Sequence, residues 1–249
     1  MPATVLIHGG FHGSWCWDKV RPLLEDEGWT VYAPSLTGLG DRAYLASPDV
    51  TLRTHVQDVV NLIAEQDLTD VALCGHSAAG MVITGVADAI PERIATLVYL
   101  DAVLPSDGES MFDIAGHDSP MIAAFTRQAA ERGDGWLVPP DYFSAADFGV
   151  TNPTDVTWVE QNLTGHPIRA FSDPLSLTGA GSRIANKIYV RCTDWKNRTH
   201  LDRALAAVES DPAWTVYRWP SVHDVMITEP DRVRELFAWL AAATGEGMP

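Results

Sequence analysis

Ser77 is the residue whose surroundings most clearly indicate chemistry. It lies in the run 75–80, Gly-His-Ser-Ala-Ala-Gly, between a short apolar strand and an apolar helical pattern. A strand–turn–helix of this kind lifts a serine hydroxyl to the end of a sheet, beside the free N–H groups of a helix start. Ala79 stands where the pattern usually has glycine, which we interpret as a small-residue variant. Because serine is a weak nucleophile until a base takes its proton, the chain must also supply that base.

His223 is the best placed of the eight histidines to act as this base. It follows the predicted strand Trp214–Trp219 and precedes the last predicted helix. Loops that follow parallel strands gather at one edge of a sheet, so His223 is predicted to lie at the same edge as Ser77. There it would take the serine proton and return it to the leaving group.

Two aspartates compete for the role of the acid that orients His223. Asp194 follows the predicted strand Lys187–Cys192, and Asp101 ends the predicted strand Ile94–Leu100. Both lie between Ser77 and His223, so the chain order of serine, acid and histidine does not separate them. We favour Asp194, because the acid in this pattern usually follows a strand nearer the C-terminus, and keep Asp101 as the alternative.

A glycine-rich segment is predicted to stabilise the negative charge that forms on a tetrahedral intermediate. The run 8–13, His-Gly-Gly-Phe-His-Gly, comes directly after the first predicted strand. The N–H groups of Gly10 and Ala78 would form the oxyanion hole. No third ligand follows His8 and His12 at metal-binding spacing, so we predict no metal and no cofactor.

Composition narrows the classes of function. The 249 residues carry a formal net charge of −16, which disfavours binding to nucleic acid and to anionic membranes. Three unevenly spaced cysteines predict neither a disulfide framework nor a zinc site. No signal peptide and no membrane-spanning run is recognisable, so a cytoplasmic location is expected.

The alternation of apolar runs and helical patterns predicts an α/β fold with a parallel sheet covered on both faces. This rhythm stops between residues 105 and 183, where aromatic residues and helix-like pieces predominate. We predict that 105–183 is a lid inserted into a core formed by 1–104 and 184–249. The candidate substrate-binding residues are Phe11, Phe125, Trp136 and Tyr142.

Together these motifs resemble the α/β-hydrolase superfamily, in particular the branch of plant methyl-ester esterases, pyrethroid-type carboxylesterases and hydroxynitrile lyases. The resemblance covers nearly the whole chain and rests on runs 8–17, 36–42, 75–77, 97–101 and 223–226. It implies a mostly parallel sheet with helices on both faces and a mainly helical lid inserted after the sixth strand. Gly9 and Asp224 replace the threonine and lysine of the lyases, which favours hydrolysis. The segment 192–197 departs from the usual acid loop of the branch.

The predicted function is therefore hydrolysis of a carboxylic ester of a small, apolar or aromatic substrate through an acyl-enzyme. Two alternatives stay open because one fold hosts many functions. The first is lactone opening, carbon–carbon cleavage or a lyase reaction on the same triad. The second is a ligand-binding protein of the same fold with little turnover. The predicted partner is a small-molecule ester, with no nucleic acid and no membrane, and a homodimer is left open.

Overall fold

A six-stranded sheet forms the centre of the computed structural model, which describes residues 2–195 and 199–243. All five neighbouring strand pairs are parallel, and the spatial order is β2-β1-β3-β4-β7-β8. A separate antiparallel pair, β5 and β6, has two residues in each strand. The strands are β1 Ala3–Ile7, β2 Thr30–Tyr32, β3 Val71–His76, β4 Ile94–Leu100, β5 Leu137–Val138, β6 His166–Pro167, β7 Asn186–Cys192 and β8 Trp214–Trp219.

Helices cover both faces of this sheet, because successive side chains of its strands point to opposite faces. Val71 and Leu73 of β3 pack with one apolar cluster, whereas Ala72 and Cys74 pack with another. Helices α2, α3 and α8 contribute to the first cluster, and α1, α9 and α10 to the second. The α-helices are α1 Arg21–Asp26, α2 Leu52–Glu65, α3 Ala79–Ala89, α4 Met111–Ala115, α5 Pro120–Arg132, α6 Pro153–Asn162, α7 Arg169–Ser172, α8 Thr199–Val208, α9 Val225–Thr228 and α10 Pro230–Ala243. Short 3₁₀-helices occupy Ser14–Trp17, Gly40–Leu45, Pro91–Arg93, Pro140–Tyr142, Ala145–Phe148 and Ala180–Arg183.

The expected parallel α/β architecture is confirmed. Each strand predicted from an apolar run is present, and the long helices follow the patterns that predicted them. The expected position of the insertion is wrong in one respect, since four strands rather than six precede it in the described chain. The reason is that residues 3–100 form only β1 to β4 between their helices.

The segment between β4 and β7 differs in character from the rest. It contains α4 to α7, the two-residue strands and three 3₁₀-helices, and it contributes aromatic side chains to both apolar clusters. Its role as a lid stays a prediction. Within 2–195 and 199–243, no helix has the length and apolar character that a membrane crossing requires. Lys196 and Asn197 of the segment 192–197 lie outside the described residues.

Candidate active site

Ser77 sits in a strained turn between β3 and α3. Its φ is +57°, in the left-handed region that residues with a Cβ rarely adopt. Glycines allow the chain to fold this tightly: a Cβ on Gly80 would overlap the Val103 carbonyl oxygen, and one on Gly75 would lie 2.8 Å from Ile83 Cγ2. Ser77 is half-buried and lines a cavity at the carboxyl edge of the sheet. The backbone therefore presents its hydroxyl where a substrate can reach it.

The ring of His223 is held by Asp101. His223 Nδ1 lies 2.7 Å from Asp101 Oδ2, and both side chains are buried. With the carboxylate as acceptor, Nδ1 carries the proton and donates it, which leaves Nε2 as the basic nitrogen. His223 lines the same cavity as Ser77. This arrangement provides a basic nitrogen of defined tautomer beside a serine.

The expectation that Asp194 would contact His223 is therefore wrong. Asp194 is exposed in the turn after β7, where its N–H donates to the Ser221 carbonyl oxygen at 3.0 Å. Asp101 reaches the ring because its φ of +44° turns the chain sharply at the end of β4. The sheet order places β4 beside β3, so the residue after β4 lies next to the serine turn.

Asp101 is surrounded by donors although it is fully buried. Its Oδ1 accepts hydrogen bonds from Arg191 Nη1 and from the Cys192 N–H, both at 2.9 Å. Burial raises the pKa of Asp101 to about 6, against the opposing effect of the Arg191 charge and these hydrogen bonds. The carboxylate is thus ionised at neutral pH and can orient His223, and it takes up a proton in mildly acidic solution.

The N–H groups of Gly10 and Ala78 lie at the cavity and are available to a ligand. Both residues line it, and within the described chain neither N–H donates to a protein acceptor. Gly9 permits the close approach, since a Cβ there would lie 2.9 Å from Ser77 Cβ. Phe11, which directly follows Gly10, has a φ of +66°. The first loop thereby brings backbone donors and an aromatic ring to the serine.

The cavity is narrow and mostly apolar, with a volume of about 50 Å³. Phe11 and Phe125 line it, as the sequence predicts. Trp136 and Tyr142 do not line it: the Tyr142 ring packs edge-on against Phe125, one layer farther out. Trp136 instead lies half-buried beside the short strand β5. That these two residues bind substrate stays a prediction. The lining residues are Gly10, Phe11, Ser77, Ala78, Met111, Met121, Phe125, Phe143, Phe148, Phe171, Trp195, His200 and His223.

Trp195 is the most consequential lining residue that the sequence did not single out. Its indole stacks on the His223 ring, with the ring centroids 3.7 Å apart and the planes 12° from parallel. Its Nε1–H donates to the Asp147 carbonyl oxygen, in the segment between β4 and β7. The only sequence signal was its position directly after the favoured Asp194. Trp195 thus covers the proposed base and links it to the insertion.

Buried histidines surround the site, and most are neutral. His8 accepts the Leu36 N–H at its Nε2 (3.0 Å), while its Nδ1 lies 2.8 Å from the Gly9 carbonyl oxygen. His76 Nε2 donates to the His223 carbonyl oxygen at 3.0 Å. Burial lowers the pKa of both His8 and His76 to about 3. These neutral rings hold the backbone around Ser77 and His223 in place.

One set of side chains has metal-binding composition, namely His76, His223 and Asp224, whose donor atoms lie within 4.8 Å of one another. Two donor atoms of the set are already engaged, since His223 Nδ1 is bound to Asp101 and Asp224 Oδ2 to His12. A cation there would also compete with the base function of His223. His76 Nδ1 and Asp224 Oδ1 are buried without a hydrogen-bond partner among the described residues. The absence of a metal stays a prediction.

A wider groove of about 790 Å³ lies away from this site, along edge strand β8 and helix α10. Its lining includes Tyr217, Trp219 and Trp239, but neither Ser77 nor His223. The small cavity is therefore the candidate active site, since it contains the nucleophile, the basic ring and the N–H donors together.

Comparison with known proteins agrees with this geometry. A carbendazim-hydrolysing esterase from Nocardioides sp. (strain SG-4G) is 35% identical over 248 residues, which cover 96% of this chain and 100% of the relative. Methylesterase 9 of Arabidopsis thaliana is 33% identical over 234 residues, covering 85% of this chain and 87% of the relative. Among solved structures, an extracellular alpha/beta-hydrolase from a Paenibacillus species superposes with a TM-score of 0.80 at 25% identity, covering 96% of this chain and 98% of that one.

The sequence model of the alpha/beta hydrolase family matches residues 4–236, which is nearly the whole described chain. The parallel sheet, the strained serine turn and the histidine after the last strand are the features that this match covers. The chain therefore belongs to the alpha/beta hydrolase family.

Proposed function

We propose that this protein hydrolyses carboxylic esters through an acyl-enzyme on Ser77. The observation that carries the proposal is the buried contact between His223 Nδ1 and Asp101 Oδ2, at the cavity that Ser77 lines. It leaves the other nitrogen of His223 unprotonated and basic. Relatives named as esterases, at 33–35% identity over most of the chain, support the same reaction class.

In the first half of the reaction, Ser77 Oγ forms a bond to the ester carbonyl carbon while His223 Nε2 takes the hydroxyl proton. The carbonyl oxygen becomes negatively charged and accepts hydrogen bonds from the Gly10 and Ala78 N–H groups. One such donor is worth about 3 kcal/mol in the transition state. The bond to the alcohol oxygen then breaks, and the alcohol leaves with the proton from His223.

In the second half, water attacks the acyl carbon of the Ser77 ester. His223 takes a proton from the water and returns it to Ser77 Oγ as the carboxylic acid is released. Throughout both halves of the reaction, the Asp101 carboxylate accepts the hydrogen bond from His223 Nδ1–H, including when His223 is an imidazolium. Each cycle consumes one ester and one water, and produces one acid and one alcohol.

The lining of the cavity supports a small, apolar or aromatic substrate. Phenylalanine and methionine side chains dominate it, and Trp195 and Phe11 add flat apolar surface beside the serine. Ala78 leaves room next to the nucleophile because its side chain is a single methyl group. The net charge of −16 supports the further prediction that nucleic acid and anionic membranes are not partners. A cytoplasmic location and a homodimer stay predictions.

The test of this function is turnover of 4-nitrophenyl acetate and longer aryl esters by the purified protein and by Ser77→Ala. We expect the substitution to lower kcat by about 1000-fold or more, since the nucleophile is lost. A serine-directed phosphonate should add its mass to Ser77 in the unmodified protein only. Ser210→Ala, at an exposed serine, is the matched control and should retain activity. Near-normal turnover by Ser77→Ala would refute the proposal.

A further inference from the structure

A buried ion pair joins the two loops that flank the candidate nucleophile. His12 Nε2 lies 3.1 Å from Asp224 Oδ2, although the two residues are 212 positions apart in the sequence. Their side chains are 1% and 0% exposed. Neither residue lines the substrate cavity, and the proposed reaction uses neither of them. A charged pair buried this deeply needs a physical reason, because removing two charges from water is costly.

The hydrogen bonds of His12 show that its ring is charged. Its Nδ1 lies 2.8 Å from the Gly10 carbonyl oxygen, and its Nε2 faces the Asp224 carboxylate. A carbonyl oxygen and an ionised carboxylate can only accept, so with Asp224 ionised both ring nitrogens of His12 carry protons. Burial alone lowers the pKa of His12, but the charge and hydrogen bond of Asp224 outweigh it and raise the pKa. Burial raises the pKa of Asp224, yet His12 outweighs that effect and lowers it.

Each end of the pair is attached to a different part of the proposed machinery. At one end, the His12 ring closes a turn over Phe11, whose φ is +66°, by binding the carbonyl group of Gly10. Gly10 supplies one of the two oxyanion donors. At the other end, Asp224 directly follows His223, and its N–H donates to the Phe148 carbonyl oxygen at 3.2 Å. The pair thus spans from the oxyanion loop to the loop of the base.

We propose that His12 and Asp224 are positioning residues that fix the Gly10 donor and the His223 base relative to each other. The inference rests on the proposed function, because it assigns these residues a task in the same reaction. A displacement of about 1 Å between reacting groups costs on the order of 100-fold in rate. The direct ion pair between the two loops limits such a displacement. It also holds the first loop against the backbone strain at Phe11, which favours a different loop conformation.

Other charged and titratable groups also face this pair. The His76 ring lies 6.2 Å from His12 between centroids, and His76 Nε2 lies 3.9 Å from Asp224 Oδ1. The Trp15 indole stacks on His12 with centroids 5.1 Å apart and shields it from water. The titratable groups that interact with the pair are His8, Cys16, His76 and His223, with Asp101 one contact farther away.

The first experiment compares Asp224→Asn, His12→Gln and the double variant in steady-state ester hydrolysis. We expect each single substitution to lower kcat by about 10- to 100-fold, because the two loops lose their common anchor. KM should change by less than about twofold, since neither residue lines the cavity. The double variant should be no slower than the slower single variant, as expected for residues that act through each other. His117→Gln, in an exposed histidine–aspartate pair, is the control and should leave kcat unchanged.

A second measurement needs no substitution and covers the case in which a variant does not fold. Nitrogen-15 NMR of the unmodified protein, followed as the pH is raised, should show His12 with both ring nitrogens protonated to a higher pH than the histidines of the urea-unfolded chain. The same NMR result for His12 in the Ser77→Ala variant would show that it does not depend on ester turnover. A His12 ring that loses its second proton at a lower pH than in the unfolded chain, additive losses in the double variant, or an unchanged kcat in folded Asp224→Asn would overturn the inference. Absence of ester turnover by the unmodified protein would instead refute the proposed function.

Discussion

Among the described residues, six that are not glycine have a positive φ, and three of them lie at or beside the cavity. Phe11, Ser77 and Asp101 have φ values of +66°, +57° and +44°. A residue with a Cβ in this region costs about 1–3 kcal/mol and persists only where its surroundings enforce it. Backbone hydrogen bonds hold two of these residues in place. The Ser77 N–H donates to the Leu100 carbonyl oxygen, and the Asp101 N–H donates to the Val190 carbonyl oxygen at 2.7 Å. The three other non-glycine residues with positive φ are Asp67, Asp70 and Asp134.

A pair of matched substitutions separates the two candidate acids. Asp101→Asn should lower kcat by about 1000-fold or more, because an amide cannot hold the His223 ring in the tautomer that leaves Nε2 basic. Asp194→Asn makes the same chemical change at an exposed position and should leave kcat within about twofold of the unmodified enzyme. Steady-state hydrolysis of an aryl ester measures both. The opposite order of effects would return the acid role to Asp194.

The sequence predicted the serine and the histidine better than the acid, and the reason is local. Ser77 and His223 carry signals in their neighbours, namely the glycines of the turn and the strand–histidine–helix order. Asp101 and Asp194 both follow strands, so their neighbours are alike. What distinguishes them is sheet order, burial and the contacts of Asp101 with Arg191 and Cys192, which form only when β4 and β7 pair.

Among the secondary-structure elements, the packing of α3 against the loop after β4 sets the position of the serine. The Val103 N–H donates to the Ser77 carbonyl oxygen at 3.1 Å, and Gly80 lies directly against Val103. Ala79, which stands where the usual pattern has glycine, is buried. The glycine that this turn requires is therefore the one at position 80, one residue beyond the usual pattern.

Gly80→Ala tests this packing. A Cβ there would overlap the Val103 carbonyl oxygen, which is backbone and cannot rotate away. We expect α3 or the loop to shift, at a cost of about 1–3 kcal/mol in the free energy of unfolding, with a loss of kcat. Chemical denaturation and ester hydrolysis measure the two effects. An unchanged free energy of unfolding and an unchanged kcat in the Gly80→Ala variant would contradict this prediction, because they would show that the turn accommodates a Cβ at position 80.

The elements of the insertion explain why its lining residues were harder to predict. Aromatic composition indicated an apolar cavity, but Phe125, Trp136 and Tyr142 look equivalent in the sequence. Only the fold separates them, since short helices and two-residue strands carry no periodicity that distinguishes an inner from an outer face. Phe148 and Phe171 reach the cavity from a 3₁₀-helix and a one-turn helix, where no such pattern exists.

For the molecule as a whole, six of the eight histidines are buried. They are His8, His12, His55, His76, His166 and His223. The charged residues lie mainly at the surface, so the net charge of −16 faces solvent while imidazole rings occupy the interior around the site. Such an interior makes stability depend on pH in a way that the sequence alone does not reveal, because it depends on which histidines are buried.

Acid should therefore destabilise the fold well above the pH at which carboxylates titrate. Burial lowers the pKa of His8 and His76 to about 3 and also lowers the pKa of His55 and His166. Below pH ~6.5 the unfolded chain binds more protons at these four rings than the folded protein does, so the free energy of unfolding falls as pH falls. Asp101, with its pKa raised to about 6, offsets about one of these protons between pH 6 and 4.

His8 and His76, less the proton that Asp101 takes up, give a net difference of about one proton, or about 1.4 kcal/mol per pH unit between pH 6 and 4. The lowered pKa values of His55 and His166 act in the same direction and add to this slope. Urea denaturation followed by circular dichroism at pH 7, 6, 5 and 4 measures the slope. His166→Phe should reduce the slope, because it removes a buried ring whose pKa is lowered by burial. His117→Gln, at a histidine whose side chain is 83% exposed, is the matched control substitution. A free energy of unfolding that stays constant from pH 7 to 4 would contradict this prediction, because it would mean that the buried rings take up protons as readily in the folded protein as in the unfolded chain.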